Sequence, residues 1–236
     1  KVKICYQQER KALLHQHEWE VNMGKSKNIR LIYQGVHTCT ICHNDPRGTI
    51  KPDQKKVERK FFKQLLDSKI FIIAQSLAET QVRLSGVPFH NSQGILSNGG
   101  KFLEKYLNQV GYTIIPTKDE LSLVYSTDMV QCFPGKKMIG KGDNIPLTSE
   151  INNCRRWLDK ELSLMAPKVV LLFGTPATKS FYQYYLNQPF TKLSDYYLLP
   201  HEFRHAKVFS LPHMTSMVRG KSSIYEETFN VIRGII

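Results

Sequence analysis

The stretch KVVLLFGTPAT, residues 168–178, runs Val169 to Phe173 without a polar residue and then breaks into Gly174-Thr175-Pro176. A continuous apolar run of that length reads as a strand covered on both faces. Proline two residues past the glycine sits where a helix's first turn tolerates it, so a helix starts at the break. The same unit recurs on either side. KIFIIAQ (69–75), LSLVYSTDMV (121–130) and KVFSL (207–211) read as three more strands. Between them, NGGKFLEKYLNQVG (98–111) reads as a helix closed by Gly111. SEINNCRRWLDKELSLM (149–165) reads as a helix capped by Thr148 or Ser149 and ending before Pro167, and SSIYEETFNVIRG (222–234) as a last helix. A further helix is expected over QKKVERKFFKQLLDS, where Val57, Phe61, Phe62, Leu65 and Leu66 recur at helical spacing.

Strands alternating with helices predict an α/β fold, a parallel sheet of four strands with helices on both faces. Such sheets bind ligands outside the carboxyl ends of their strands. Chemistry is therefore expected in AQSLAET, DMVQCFPGKK, FGTPAT and LPHMTS, the segments that follow the four strands. Residues 1–36 read as an N-terminal helical extension, with a charged start (QQERKALLHQHEW) and a polar linker around Gly24 to Asn28. Residues 37–236 read as a single domain.

The chain carries 33 Lys and Arg against 20 Asp and Glu, a net charge of +13, which suits a polyanionic partner such as nucleic acid. No run approaches the roughly 18–20 apolar residues that a membrane span needs, and the start lacks the apolar core of a signal peptide. Five dispersed cysteines do not form a secreted disulfide framework, so an intracellular, reducing compartment is expected.

Cys39 and Cys42 stand two residues apart, a spacing that fits a metal clamp, a redox pair or chance. Cys132 directly after the second strand and Cys154 in the next helix bring the count of possible thiolate ligands to four. Four thiolates suit zinc or an iron–sulfur cluster. HEFRH (201–205) matches the H-E-x-x-H zinc motif literally, but Pro200 before it and a strand just after it leave no room for the helix that motif requires. His201 and His205 are expected on the surface.

Six segments, in order over residues 37–220, resemble the uracil-DNA glycosylase superfamily, in particular its iron–sulfur branch known as family 4. CTICHNDPRG resembles the entry cysteine pair, and IIAQSLAETQVRLSGVPFHNSQGILSNGGKFLEKYL the first motif with its G-x-P-F turn and helix. VYSTDMVQCFPGK resembles the strand bearing the third cysteine, and NNCRRWL the segment with the fourth. VVLLFGTPAT resembles the strand–Gly–helix, and LPHMTSMVR the closing loop. The resemblance implies a three-layer α/β sandwich around a mainly parallel four-stranded sheet, and a 4Fe–4S cluster on Cys39, Cys42, Cys132 and Cys154, with zinc as the alternative.

It also implies roles. Phe89 stacks on a base flipped out of the helix, and Asp128 stands where the family reads the base with an amide. Gln75 orients water, and His213 stabilises charge on the leaving base. Met214, Met217 and Arg219 contact DNA. The chain departs from the pattern at Ala74-Gln75-Ser76-Leu77-Ala78, where the family has G-[EQ]-A-P-G, and at His213-Met214-Thr215, where it has H-P-S. The implied activity is hydrolysis of the N-glycosidic bond of uracil or another altered base in DNA. The alternative is a catalytically degenerate relative that binds nucleic acid or serves with protein partners in an assembly.

Overall fold

In the computed structural model, the described residues are 24–25, 27–42, 65–84, 88–92, 95–115, 121–140, 142–214 and 220–236. The expected N-terminal helical start lies outside them, as does most of the expected helix over QKKVERKFFKQLLDS. Residues 27–38 form a helix, α1. There follow β1 (Ile70–Ser76), α2 (Glu79–Leu84), β2 (His90–Ser92), β3 (Ile95–Leu96), α3 (Asn98–Asn108), β4 (Tyr112–Thr113) and β5 (Ser122–Leu123). The remaining elements are β6 (Tyr125–Val130), α4 (Thr148–Met165), β7 (Val169–Phe173), α5 (Gly174–Tyr185), β8 (His201–Phe203), β9 (Ala206–Leu211) and α6 (Ser222–Arg233).

The central sheet has the order β6-β1-β7-β9-β8. Its first four strands are parallel, as the alternation predicts. Both faces of these strands are largely buried, which is why β7 and the first five residues of β1 read as unbroken apolar runs. The chain leaves β1 for β6 on one side and then crosses to β7 on the other. That reversal opens a crevice at the carboxyl ends of these strands.

Side chains alternate along β1 into two cores. Phe71 and Ile73 pack with Tyr125, Leu172 and Val208 against Ile29, Ile32 and Val36 of α1, Leu158 and Leu162 of α4, and Phe181 of α5. Ile70, Ile72 and Ala74 pack with Leu171, Phe173 and Phe209 against Leu103 and Tyr106 of α3 and Tyr225 and Phe229 of α6. Each such large side chain, fully buried, contributes about 1.5–3 kcal/mol relative to exposure.

A buried carboxylate ties α4 to β6. Glu161 is fully buried and accepts hydrogen bonds from the Tyr125 hydroxyl at 2.9 Å and the Thr127 hydroxyl at 2.7 Å. Gln131 Nε2 donates onward to Thr127 Oγ1 and to the Asp128 carbonyl at 3.2 Å.

Four local expectations are corrected. The sheet has a fifth strand, β8, antiparallel to β9, formed by a half-exposed His-Glu-Phe segment too short and polar to read as a strand. HEFRH is therefore a hairpin, with Arg204 and His205 in its turn. His205 is exposed as expected, but His201 is half-buried with its ring 4.8 Å from that of Tyr182. The N-cap of α4 is Leu147, not Thr148 or Ser149. Capping comes from within the helix, where the Glu150 carboxylate accepts from the Leu147 N–H at 2.7 Å. The polar stretch around Gly24 to Asn28 is not a linker, because residues 24–25 and 27–38 are helical.

Candidate functional site

The crevice at the carboxyl ends draws in Phe89, Asp128 and His213 among the predicted residues. β7 ends at Phe173, and the next residue, Gly174, adopts φ +83°, a left-handed conformation open to glycine at no steric cost. A Cβ on Gly174 would lie 3.3 Å from His213 Cβ and 3.4 Å from its Cδ2. The imidazole thus rests directly on the turn between β7 and α5. His213 retains exposed surface while protein atoms crowd it from the other side, and that desolvation lowers its pKa below the ordinary histidine value.

Phe89 packs on Phe173, the residue just before Gly174. Its ring meets that of Phe173 edge-on at 6.3 Å between centroids, and only 7% of its surface is exposed. Its backbone lies at φ +70°, a rare conformation for a bulky residue. Two contacts hold it there. The Ser97 N–H donates to the Phe89 carbonyl at 2.7 Å, and Gly100 packs so closely that a Cβ would come within 2.7 Å of the same oxygen. Strain fixed in this way collects at functional sites. The fit depends on α3, whose N-cap Ser97 accepts from the Gly100 N–H at 3.0 Å.

Asp128 is buried, 2% exposed, and is the register partner of Ala74 on β1. Paired residues in a parallel sheet face the same way, so Asp128 shares the face that carries Ala74 and Phe89. Gln75 is half-buried, and the alternation of β1 assigns it to the opposite face. β1 runs on through Gln75 to Ser76, which pairs with Val130. Backbone that the sheet holds in register here is not free to approach a ligand. Met214 is half-buried against α3, where a Cβ on Gly99 would lie 3.1 Å from its carbonyl oxygen. Met217 and Arg219 lie outside the described residues.

Phe89, Asp128 and His213 therefore gather at one edge of a 2-1-3-4 parallel sheet. A family model of the uracil DNA glycosylase superfamily matches residues 61–233. The chain belongs to that superfamily. Its members act on DNA and are usually hydrolytic glycosylases. Among the described residues no helix is long and apolar enough to cross a membrane.

Cys39, Cys42, Cys132 and Cys154, four of the chain's five cysteines, lie near enough to influence one another electrostatically. Cys39 follows the end of α1, Cys132 follows β6, and Cys154 lies within α4. The approach of α1 to α4 needs Gly35, whose missing Cβ would overlap the Trp157 ring at 2.2 Å. Three sulfurs accept N–H donors. Gln131 N reaches Cys154 Sγ at 3.3 Å, Arg156 Nη2 reaches Cys39 Sγ at 3.2 Å, and Asn153 Nδ2 reaches Cys42 Sγ at 3.5 Å. Burial pushes the Cys132 thiol pKa up, and repulsion from Cys154, Cys42 and Cys39 adds to it. Burial likewise takes Cys154 to about 12, against the pull of the Gln131 N–H. Among the described residues no group of three or more His, Cys, Asp or Glu is arranged to hold a metal ion. The thiols share one neighbourhood without a closed ligand shell.

Sequence reasoning missed the glycines that set these contacts. Gly99 and Gly100 read only as a helix start, and Gly35 as nothing at all. Glu161 also went unnoticed, although a carboxylate on the apolar stripe of a helix is a signal for a buried hydrogen-bond hub.

Proposed function

We propose that the protein is a DNA glycosylase that takes an altered base, uracil or a relative, into the crevice between β1, β6 and β7 and hydrolyses its N-glycosidic bond. The observation that carries this reading is His213 seated on Gly174 beside Phe89 and Phe173. Desolvation favours its neutral imidazole, whose N–H donates a hydrogen bond to the oxygen on which negative charge develops as the base leaves. Phe89 supplies an apolar ring for the flipped base, and Asp128 faces its edge. An ionised carboxylate only accepts hydrogen bonds, so Asp128 selects a base that presents a donor, or else acts protonated. Gln75 is the residue we assign to the water.

The thiol donor set fits a soft metal centre. We infer that Cys39, Cys42, Cys132 and Cys154 hold a 4Fe–4S cluster, with zinc as the alternative. Bound there, the cluster supplies a covalent staple joining the ends of α1 and β6 to α4, and takes no part in catalysis. The N–H donors to three sulfurs support thiolate ligands, because such bonds offset thiolate charge.

The test uses duplex and single-stranded oligonucleotides carrying uracil, hypoxanthine or xanthine, treated with alkali to reveal abasic sites. Wild type is expected to cleave at least one of them. His213→Ala is expected to lose about 10²–10³ in rate, the usual cost of one oxyanion donor, while DNA binding persists. Full activity in His213→Ala contradicts the reading. A protein that binds DNA tightly but is inert on every lesion supports the degenerate alternative.

A further inference from the structure

The strand that carries Asp128 leads through Cys132 into a projecting finger that none of the roles above uses. Residues 135–140 and 142–144 fold back on one another. Lys136 bridges to Asp143 in antiparallel fashion, the Lys137 N–H donates to the Gly142 carbonyl at 3.2 Å, and the Asn144 N–H to the Gly135 carbonyl at 2.8 Å. Asn144 Nδ2 braces the base by donating to the carbonyls of Pro134 and Lys136. Gly140 and Gly142, at φ +88° and +104°, make the bend. At the tip stand Met138 and Ile139, 99% and 92% exposed.

The base of the finger is fixed against the crevice. Lys136 Nζ lies 2.6 Å from Asp143 Oδ1 and 3.7 Å from Glu79 Oε2, at the start of the helix that follows β1. It also sits over the Phe133 ring at 5.4 Å. A well-anchored hairpin thus holds two unburied apolar side chains beside the carboxyl ends of β1 and β6. Lys137 is exposed behind the tip, and the sequence adds Lys141.

We propose that this finger is a DNA wedge, with Met138 and Ile139 entering the duplex beside the flipped base and Lys137 contacting phosphate. Architectural proteins insert apolar side chains, Ile and Met among them, between base steps in the same way. Full exposure of two adjacent large apolar residues leaves their hydrophobic contribution unused until a partner covers them. A polyanion is the partner that suits a basic stem. β9, which leads to Met214, lies three strand spacings from β6, roughly 14 Å. The finger and Met214 therefore flank the crevice from opposite sides, where two wedges would brace a gap left by an extruded base. The proposal rests on DNA being the partner named above.

The test compares wild type with Met138→Ser/Ile139→Ser on a duplex carrying 2-aminopurine next to the lesion. Both residues are exposed, so the melting temperature is expected to stay unchanged. The variant is expected to lose roughly tenfold in duplex affinity, the burial of two side chains less the cost of unstacking. It is also expected to lose the 2-aminopurine fluorescence rise, and to keep its affinity for single strands. In Met138→Trp, duplex addition is expected to quench the new tryptophan. Unchanged duplex affinity and fluorescence in the double variant overturn the wedge alone, and leave the glycosylase reading standing. Absence of any DNA binding by wild type overturns both. Loss of binding to anionic vesicles, with DNA binding intact, assigns the tip to a lipid surface and overturns the wedge.

Discussion

His213 and Gly174 form the contact on which the proposed chemistry depends. Gly174→Ala would bring a Cβ to 3.3 Å from His213 Cβ and force a side chain into φ +83°. The left-handed conformation alone costs about 1–2 kcal/mol. The displaced imidazole should lower the excision rate further than that loss of stability explains. Urea unfolding and single-turnover kinetics on one preparation separate the two effects. The lowered pKa of His213 gives a second check, since an NMR titration of its imidazole should show a midpoint below 6.5. His90, buried beneath the Pro88 carbonyl, is also lowered, chiefly by desolvation. The unfolded chain then binds more protons than the folded one as pH drops below about 6.5, so stability should fall on that side and level off above it. At Asp128, an amide supplies an N–H donor without needing a proton. Asp128→Asn should therefore raise activity on uracil, and Gln75→Ala should cost less than His213→Ala. Equal losses from Gln75→Ala and His213→Ala would place the glutamine at the reacting bond.

β6 and α4 act as a pair, joined by Glu161 on one side of the strand and, just past its end, by the Gln131 N–H donating to Cys154 Sγ. Glu161→Ala removes the carboxylate acceptor of the buried Tyr125 and Thr127 hydroxyls, at up to about 1–3 kcal/mol each. Urea unfolding should show that loss, and an unchanged midpoint would mean that the hydroxyls find other acceptors. Gln131 links this hub to Cys154 through its backbone N–H and to the Asp128 carbonyl through its side chain. Elements of this kind were unevenly legible in the sequence. β1, β7 and β9 were plain because strands buried on both faces leave unbroken apolar runs. β8 was not, since a half-exposed His-Glu-Phe carries no such run. Within the helical extension expected over residues 1–36, the polar residues around Gly24 to Asn28 looked like a linker, although Ile29, Ile32 and Val36 show the spacing of α1. His213 and Phe89 were visible through motifs, whereas the finger at Met138 and Ile139 has no periodicity to betray it.

Across the whole molecule, a net charge of +13 sets how DNA is held. Log K against log salt should fall steeply, by roughly 0.9 per phosphate contacted, with little dependence on sequence. The proposed cysteine staple would act at the same scale, because it would join three elements from distant parts of the chain. Protein purified without oxygen should be brown and contain iron, and Cys154→Ser should lose both the metal and several degrees of melting temperature. Cys5→Ser should retain the metal, and stoichiometric zinc in colourless protein would replace the cluster with a single ion. Charge, staple and crevice all serve one claim, that a base leaves the duplex and enters the edge of the sheet between β1, β6 and β7. A crystal structure with a duplex carrying a 2′-fluorinated deoxyuridine, which resists excision, tests that claim most directly. The account predicts the uracil extruded against Phe89, its edge at Asp128 and its O2 within hydrogen-bond reach of His213. A uracil still stacked in the duplex, or DNA bound away from that edge, would contradict it.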